Sequence, residues 1–243
     1  MPTPHPPDGR STPPNTRGSP GTVESDLAQV AAALGVTLDP RQLDLLAAYL
    51  ALLQRWNAVY NLTAVREPQA MLTQHLADSL AVVPPLRRHL AGLAEVAAGG
   101  GSARRLLDVG SGGGLPGVVL AIACPELDVS CIDTVAKKAN FIRQVAAELR
   151  LPNLHAVHGR VEAQAGSGFD VVVSRAFASL GDFTTWSRRA LAAGGAWMAM
   201  KGKRPDAELA ALAPDIEVFH VEPLQVPGLD AERCLVWMRP RAG

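Results

Sequence analysis

The sequence predicts an α/β protein in which a mainly parallel sheet, with helices on both faces, follows a small all-helical unit. Three observations predict this fold. A glycine-rich segment, Asp108 to Gly117, stands between an apolar strand-like run and an apolar helix-like run. Strand-like and helix-like runs alternate after it, as expected for parallel strands joined by right-handed crossovers. Before it, apolar residues recur at three- and four-residue steps, which is the period of helices.

The N-terminal part predicts three helices, at about residues 24 to 35, 40 to 57 and 67 to 82. Pro40 and Pro68 stand near the starts of the second and third helices, where proline is favoured because its missing N–H is not needed. Their apolar faces predict an all-helical subdomain.

Composition changes predict the domain boundaries. Residues 1 to 22 hold seven prolines and almost no large apolar side chain, so we expect a disordered tail. Residues 97 to 102 are alanine, glycine and serine, which predicts a flexible joint. The expected units are therefore a helical subdomain at 23 to 98 and an α/β domain at 103 to 243.

The α/β part predicts seven strands. The strand before the glycine-rich turn begins at Arg104. The other six runs are residues 127 to 132, 155 to 158, 169 to 173, 195 to 200, 216 to 221 and 234 to 238. The last two are joined by a turn-rich segment without a helix, which predicts a terminal, partly antiparallel strand pair and disfavours the second βαβαβ half of a dehydrogenase.

The glycine-rich turn predicts a site for a nucleotide-like cofactor. Gly110, Gly112 and Gly114 allow positive φ and leave no Cβ between the main chain and a ligand, while Asp108 is expected to place a carboxylate at the mouth. A dinucleotide would put its pyrophosphate on the following helix, whereas S-adenosylmethionine carries an ammonium and a sulfonium that favour carboxylate oxygen. The acid two residues before the first glycine resembles the first motif of Class I methyltransferases more closely than a dehydrogenase fingerprint. A glycine-rich turn with no ligand is the remaining alternative.

Asp133 ends the second predicted strand, where an acid can accept both ribose hydroxyls of an adenosine. Dehydrogenases and methyltransferases both use such an acid, so Asp133 indicates adenosine without separating the two classes. The alternative role for Asp133 is that of an acid at a helix N-terminus.

Composition argues against disulfide bonds, a metal site and a membrane span. The chain has 243 residues, 48% hydrophobic, which is enough for a full α/β core plus a small appendage. Three cysteines without CxxC spacing indicate a reduced protein without disulfides, and His155 and His158 have no further ligands beside them, so no metal is expected. The absence of a signal pattern or an uninterrupted apolar helix predicts a cytoplasmic protein without a membrane span.

Five segments in a particular order carry a specific resemblance. They are Arg55 to Thr63, His75 to Leu80, Asp108 to Gly117, Ser174 to Leu180 and Lys201-Gly202. Together they resemble the bacterial small-subunit rRNA guanine-N7 methyltransferases (RsmG, also called GidB), over about residues 24 to 239. The resemblance implies a Rossmann-like Class I sheet and methyl transfer from S-adenosylmethionine to N7 of one guanine, family position 527, in the decoding-region loop of 16S rRNA.

The resemblance also implies partners and cofactor contacts. The implied partner is 16S rRNA within the small ribosomal subunit, with no membrane and no metal, and we expect a monomer. Gly110, Leu115, Val161, Glu162 and Arg175 match the family's cofactor contacts. From the residues alone, Arg175 could instead donate to an RNA phosphate, and the carboxylate of Glu162 could instead pair with a neighbouring arginine.

The residues around the fourth strand favour a ring nitrogen as the methyl acceptor. Guanine N7 carries an exposed lone pair, so its attack on a sulfonium methyl needs positioning and electrostatics and no dedicated base. The strand ends in Ser174-Arg175-Ala176-Phe177, where amino-group methyltransferases commonly carry Asn/Asp-Pro-Pro-Tyr/Phe. The catalytic thiol of cytosine-C5 enzymes is missing there as well.

Phe177 is a candidate for stacking on the target base, although an aromatic residue at a strand end is as often part of the core. His75 and Asp78 lie three residues apart on the third predicted helix. Either residue could face the cleft, but a helix–helix hydrogen bond is the favoured role.

RNA contacts depend on local patches, because the net charge is zero. Lys201, Lys203 and Arg204 follow the fifth strand, and Lys137-Lys138 follow the second. Both groups come at carboxyl ends of predicted strands, so we expect them to rim the cleft and hold phosphates around the target guanine. Solvated surface charge is the alternative.

Overall fold

The computed structural model describes residues 20–96, 104–163, 168–175, 177 and 179–241. Residues 1–19 of the predicted tail and the predicted joint at 97–102 lie outside these ranges. Residues 20–22 belong to the first helix. In the described ranges, no helix is both long and apolar enough to cross a membrane.

Helices account for the described N-terminal part, as predicted. They are α1 (Pro20–Ala33), α2 (Pro40–Tyr60), α3 (Pro68–Met71), a π-helical turn (Leu72–Ala77), α4 (Asp78–Leu80) and α5 (Val83–Val96). Pro40 and Pro68 are the first residues of their helices. The sequence patterns missed α5, whose two prolines, Pro84 and Pro85, fall in its first turn, where a helix tolerates them.

The start of α2 is fixed to the α/β part. Asp39 and Gln42 form a capping box, with the Asp39 carboxylate accepting the Gln42 N–H at 2.8 Å and the Gln42 side chain accepting the Asp39 N–H at 2.9 Å. The Gln42 amide also donates to the carbonyl oxygen of Ile122 at 2.9 Å. This contact fixes the position of α2 along its axis relative to the sheet. It thereby determines which α2 side chains reach the glycine-rich turn.

Seven strands form one sheet, which confirms the predicted fold class. They are β1 (Arg105–Val109), β2 (Asp128–Asp133), β3 (Leu154–His158), β4 (Phe169–Arg175), β5 (Leu191–Lys201), β6 (Ile216–Pro223) and β7 (Cys234–Pro240). The order is β3-β2-β1-β4-β5-β7-β6. Strands β1 to β5 are parallel, and β7 runs antiparallel to both β5 and β6.

The helices of the α/β part are α6 (Gly117–Ala123), α7 (Ala136–Glu148), α8 (Leu180–Ser187) and α9 (Asp206–Ala210), with 3-10 turns at Val161–Ala163 and Arg188–Ala190. β2 pairs with one edge of β1 and β4 pairs with the opposite edge, so the direction in which strands are added reverses at β1. A ligand is expected at this switch point, beyond the carboxyl ends of the strands.

The sheet has an apolar core on each face. One core joins Leu27 and Leu53 of the N-terminal helices to Leu106, Val118 and Phe141 of the α/β part. The other lies under α8 and contains Phe183 and Trp197. The N-terminal helices therefore cover one face of the sheet and share its core.

Candidate active site

The glycine-rich turn after β1 has the backbone that its sequence predicts. The φ angles are 69° at Gly110, 58° at Gly112 and 88° at Gly114, in the region that glycine adopts at little cost. The Gly110 N–H donates to the carbonyl oxygen of Ile132 at 2.9 Å, which joins the turn to the end of β2. Leu115, a predicted cofactor contact, is buried in the core below the turn.

Asp108 lies below the turn and not at its mouth, so that expectation was wrong. Its side chain is wholly buried, and Oδ2 accepts the N–H of Gly117 at 2.8 Å. A Cβ on Gly117 would collide with Asp108 and Cys131, so glycine is required for this approach. The physical reason for the burial is that β1 is a central strand, and the turn folds back over its end. Asp108 thus supports the turn from inside the protein.

Burial also changes the acidity of Asp108. Desolvation raises the pKa of its carboxyl to about 7, although the Gly117 hydrogen bond and the charge of Arg175 both oppose this rise. Atom Oδ1 is buried without a hydrogen-bond partner in the described part of the chain. A cationic ligand at the turn would favour the charged carboxylate.

A cavity of about 380 Å³ lies beside the turn, and we call it the Asp133 cavity. Its lining includes four of the predicted cofactor residues, which are Gly110, Asp133, Val161 and Glu162, together with Val135, Lys138, Phe177 and Trp186. Oδ2 of Asp133 accepts the Gly112 N–H at 3.0 Å and Oδ1 accepts the Val135 N–H at 2.8 Å. Each carboxylate oxygen has two lone pairs, so both can still accept a ligand hydroxyl.

A second cavity, of about 400 Å³, lies at the ends of β4 and β5, and we call it the Arg175 cavity. It is lined by Gln74, His75, Asp78, Arg175, Met200, Lys201, Gly202 and Arg233. Arg175 lines this cavity, whereas Phe177, two residues further along the chain, lines the Asp133 cavity. The two cavities are therefore neighbours at the carboxyl edge of the sheet.

Asp78 holds two arginines at the Arg175 cavity. Arg175 Nη1 lies 3.2 Å from Asp78 Oδ2, and Arg233 Nε lies 2.8 Å from Oδ1. Arg175 also donates to the carbonyl oxygen of Gln74, in the π-helical turn, at 2.9 Å. Such turns are frequent at functional sites. The guanidinium of Arg175 is thus fixed before any ligand binds.

The favoured helix–helix hydrogen bond was wrong for both His75 and Asp78. Asp78 pairs with arginines from β4 and from the segment before β7, and His75 Nε2 lies 2.8 Å from the hydroxyl of Thr63, in the loop after α2. Burial lowers the pKa of His75 to about 4, and the charge of Arg175 adds to this effect. His75 is therefore neutral near pH 7.

The structure places Phe177 in the lining of the Asp133 cavity. Its ring packs 5.6 Å from Phe183 and 5.5 Å from Trp186, measured between centroids. A Cβ on Gly110 would lie 3.8 Å from the Phe177 ring. Phe177 is partly buried against the core under α8, as in the core role left open for it, and stacking on a target base stays a prediction.

The basic residues expected to rim one cleft are in different surroundings. Lys201 Nζ pairs with Glu208 at 2.8 Å, and Lys138 Nζ lies 3.8 Å from Asp133. Exposed Lys203 and Arg204 line a third cavity of about 720 Å³, which shares Gly202 and Arg233 with the Arg175 cavity. We call it the Lys203 cavity.

Comparison with known proteins identifies the family. The model of the family described as rRNA small subunit methyltransferase G matches residues 42–236. This chain belongs to that family. It is 65% identical over 215 residues, 88% of each chain, to the ribosomal RNA small subunit methyltransferase G of Paracidovorax citrulli (strain AAC00-1).

A second relative has the same name and comes from Acidovorax sp. (strain JS42). It is 64% identical over 219 residues, which are 90% of this chain and 96% of that one. Among solved structures, TrmN from Thermus thermophilus gives a TM-score of 0.48 at 18% identity, over 70% of this chain and 53% of that chain. The chain is a methyltransferase that uses S-adenosylmethionine, as predicted.

The residues of the methyltransferase fit this cofactor. S-adenosylmethionine supplies an electrophilic methyl group on its sulfonium. The Asp133 cavity offers carboxylate oxygens that can accept ribose hydroxyls. Oδ1 of Asp108 is buried below the turn without a hydrogen-bond partner, and a cationic group at the turn would stabilise its charge. Among the described residues, no group of three His, Cys, Asp or Glu side chains could hold a metal ion.

Sequence reasoning missed several residues of this site. Tyr49 donates from its phenol to the carbonyl oxygen of Gly113 at 2.6 Å, and the only signal was a phenol on the apolar face of α2, where a buried hydroxyl needs a partner. Arg233 and Gln74 join the Arg175 cavity, and Trp186 joins the Asp133 cavity. No sequence signal indicated these three.

Proposed function

We propose that this methyltransferase transfers the methyl group to N7 of one guanine in 16S rRNA, at family position 527. Relatives named for small-subunit rRNA, at 64 to 65% identity over most of the chain, support an RNA target. The single structural observation that carries the proposal is the pair of adjoining cavities. The Asp133 cavity suits the cofactor, and the Arg175 cavity beside it suits the base that accepts the methyl.

The chemistry of guanine N7 suits the groups in the Arg175 cavity. The N7 lone pair is not protonated at neutral pH, so a new N–C bond can form, while the C–S bond breaks, without loss of a proton. Asp78 is occupied by two arginines, and the lowered pKa of His75 makes its imidazole a weak base, so the cavity positions its ligand without a strong base. Positioning of this kind is sufficient for an in-line transfer.

The cysteines of this chain are unsuited to covalent catalysis. Cys124, Cys131 and Cys234 are all buried. Burial raises the pKa of the Cys124 thiol to about 11 and also raises the pKa values of the other two. A thiolate nucleophile of the kind needed for methylation at cytosine C5 is therefore disfavoured.

Phosphate contacts fall to Lys203 and Arg204 in this proposal. Both side chains are exposed, and their cavity joins the Arg175 cavity through Gly202 and Arg233. Arg204 has an exposed partner, Asp206, at 2.7 Å, and an exposed ion pair of this kind gives way readily to a phosphate. Lys201 is already neutralised by Glu208, so its role is to hold α9 against the end of β5.

The same proposal includes action as a monomer, in the cytoplasm, on rRNA within the small subunit. It is tested by supplying tritiated S-adenosylmethionine with naked 16S rRNA, small ribosomal subunits or a pool of metabolites. Label should enter 16S rRNA at one site that cleaves as 7-methylguanosine. Size-exclusion chromatography with light scattering measures the oligomeric state of the active enzyme.

A matched substrate tests the target atom. The control is 16S rRNA carrying 7-deazaguanosine at the target position, because its ring has carbon in place of N7 and keeps the Watson–Crick edge. We expect no transfer to this RNA and undiminished binding. Label in the 7-deaza RNA, in another RNA or in small molecules alone would contradict the proposal.

A further inference from the structure

The Lys203 cavity is the largest of the three cavities described above, and phosphate contacts account for only part of its lining. Its volume of about 720 Å³ falls in the range of pockets that bind small molecules. Lys203 and Arg204 follow β5, whereas most of the lining comes from the end of β6 and from residues 224–233, between β6 and β7. The cavity therefore has room for a chemical group other than a phosphate.

One part of this lining is apolar and is held in place by the fold. It consists of Val221, Pro223, Leu224, Val226 and Leu229. The Leu224 N–H donates to the carbonyl oxygen of Arg233 at 2.8 Å, which closes the segment between β6 and β7. Val226 is buried against Ala77 and Ala81 of the N-terminal helical unit. The apolar surface is therefore formed before any ligand binds.

Two carboxylates line the same cavity as the cations. Asp230 and Glu232 are both exposed there. Because carboxylates repel phosphates, their presence disfavours a site for phosphates alone. Carboxylates accept N–H groups, and each of the four RNA bases carries an N–H donor on its pairing edge. Cations, an apolar surface and carboxylates in one cavity thus match the phosphate, the flat ring and the N–H edge of a nucleotide.

Arg233 separates this cavity from the Arg175 cavity and lines both. Its Nε donates to Asp78 at 2.8 Å and its Nη1 donates to the carbonyl oxygen of Glu232 at 2.9 Å, so its planar guanidinium is fixed. RNA bases stack on arginine guanidinium planes in many complexes. A base in the Lys203 cavity would therefore lie next to a base in the Arg175 cavity, as two neighbours in one RNA strand do.

We propose that the Lys203 cavity binds the base of a nucleotide adjacent to the target guanine. The phosphate of that nucleotide is at Lys203 and Arg204, and its N–H edge is at Asp230 and Glu232. The inference rests on the proposed function, because it takes the Arg175 cavity as the site of the target guanine. It adds a second base-binding site, so that the enzyme selects its substrate by two consecutive nucleotides.

Abasic RNA tests this inference. Three forms of a 16S rRNA fragment containing the target guanine are compared by fluorescence anisotropy with the full-length protein. One is intact, one lacks the base on the 5′ side of the target guanine, and one lacks the base on its 3′ side. Removing one of these two bases should weaken binding about 10-fold. All three fragments carry the same phosphates, so the ratio of their affinities measures the contribution of the base.

Two variants and a matched control locate the base. Ala231 is exposed and lines the cavity, and Ala231→Trp should occupy the space of the base and reduce the 10-fold ratio to about 1. The double variant Asp230→Ala/Glu232→Ala should reduce the ratio to about threefold, because the N–H edge loses its acceptors. Ala193→Trp is the control, since Ala193 is exposed near the amino end of β5, and it should keep the full ratio.

Three results would overturn the inference. The first is equal binding of the intact and both abasic fragments by the wild-type protein. The second is a full ratio that persists in Ala231→Trp. The third concerns free nucleotides. If a nucleoside 5′-monophosphate bound in calorimetry and Ala231→Trp abolished this binding, while the ratio for RNA was 1, the cavity would be a site for a soluble nucleotide.

Two further measurements keep these results separate from other failures. Affinity for S-adenosylhomocysteine, the product form of the cofactor, should be unchanged in Ala231→Trp and shows whether that variant is folded. If it is not folded, the double variant of Asp230 and Glu232 decides the question, since both side chains are exposed. Failure of the proposed function has its own readout, which is the absence of 7-methylguanosine from the intact fragment after incubation with S-adenosylmethionine.

Discussion

The phenol of Tyr49, on α2, donates a hydrogen bond of 2.6 Å to the carbonyl oxygen of Gly113, in the glycine-rich turn. Tyr49 is wholly buried, and Leu53, one turn later on α2, lies directly against Gly113. An N-terminal helix thus fixes the backbone of the glycine-rich turn, at which we propose that the cofactor binds. On this proposal the helical unit is a structural part of the cofactor site, in addition to covering one face of the sheet.

Tyr49→Phe should therefore weaken both folding and cofactor binding. The substitution leaves the carbonyl oxygen of Gly113 buried without its partner, which costs about 1 to 3 kcal/mol of unfolding free energy. The loosened turn should lower the affinity for S-adenosylhomocysteine several-fold. Urea unfolding and calorimetry measure the two effects. Tyr60→Phe is the control, since Tyr60 is 41% exposed, and equal effects of the two substitutions would refute this role of Tyr49.

Asp78→Asn should destabilise the protein by about 2 to 4 kcal/mol. The side chain of Asp78 is 3% exposed and is shared by Arg175 and Arg233, so loss of its charge leaves two guanidinium groups without a counter-charge. Both arginines are partly exposed, which keeps the loss below that of a fully buried pair. Chemical unfolding of the variant measures the difference.

The control for Asp78 is an exposed ion pair of this chain. Arg188 and Asp215 are in contact at 2.6 Å, with side chains that are 43% and 58% exposed. Arg188→Ala should cost less than about 1 kcal/mol, because solvent screens the pair. If Asp78→Asn proved no more costly than Arg188→Ala, the network around Asp78 would not be a source of stability.

The sequence predicts the glycine-rich turn and Asp133 well, whereas it does not predict the contacts of Asp78 at the Arg175 cavity. The glycine-rich turn is a short local motif and Asp133 ends the strand that follows it, so the backbone of the turn and the position of Asp133 could be predicted. Asp78 meets Arg175 and Arg233 across 97 and 155 residues of chain, and a π-helical turn sets the direction of its neighbours. Contacts of this kind depend on how α4, β4 and β7 pack, which no local pattern records. Asp108 was placed wrongly because the motif gives its position in the chain but not the face to which it turns.

The pKa of Asp108 predicts how stability depends on pH. The folded-state pKa of about 7 lies above the ordinary value of 3.8, so between these pH values the folded protein binds more protons than the unfolded chain. The unfolding free energy should therefore fall as the pH rises from about 4 to about 7 and then level off. The full change from this one group is about 4 kcal/mol at most, at 1.36 kcal/mol for each pKa unit.

Asp108→Asn isolates this contribution. His75 also titrates in this range, with the opposite sign, because its lowered pKa makes the protein less stable as the pH falls below about 6.5. That contribution is the same in both proteins and cancels when they are compared. The unfolding free energy of Asp108→Asn, measured with urea, should therefore rise relative to that of the wild type as the pH increases from 5 to 8. A difference that does not vary with pH would show that Asp108 is ionised throughout.

The position of Lys203 and Arg204 predicts a salt-dependent effect on RNA binding alone. If each side chain neutralises one phosphate of a single-stranded segment, the double variant Lys203→Ala/Arg204→Ala should reduce the slope of log affinity against log salt by about 1.4, which is about 0.7 for each contact. Fluorescence anisotropy with a 16S rRNA fragment measures the slope. Affinity for S-adenosylhomocysteine should not change, because the Asp133 cavity is lined by other residues.

The matched control for that variant is Arg188→Ala/Arg189→Ala, which also removes two positive charges. Arg188 and Arg189 are exposed and precede β5, whereas Lys203 and Arg204 follow it, so the two pairs lie at opposite ends of the strand. Removing Arg188 and Arg189 takes away the same charge from the edge of the sheet that is remote from the three cavities. The salt slope of this control should equal that of the wild type. Equal losses of slope in the control and in the double variant would mean that RNA responds to total charge, and the assignment of phosphates to the Lys203 cavity would fail.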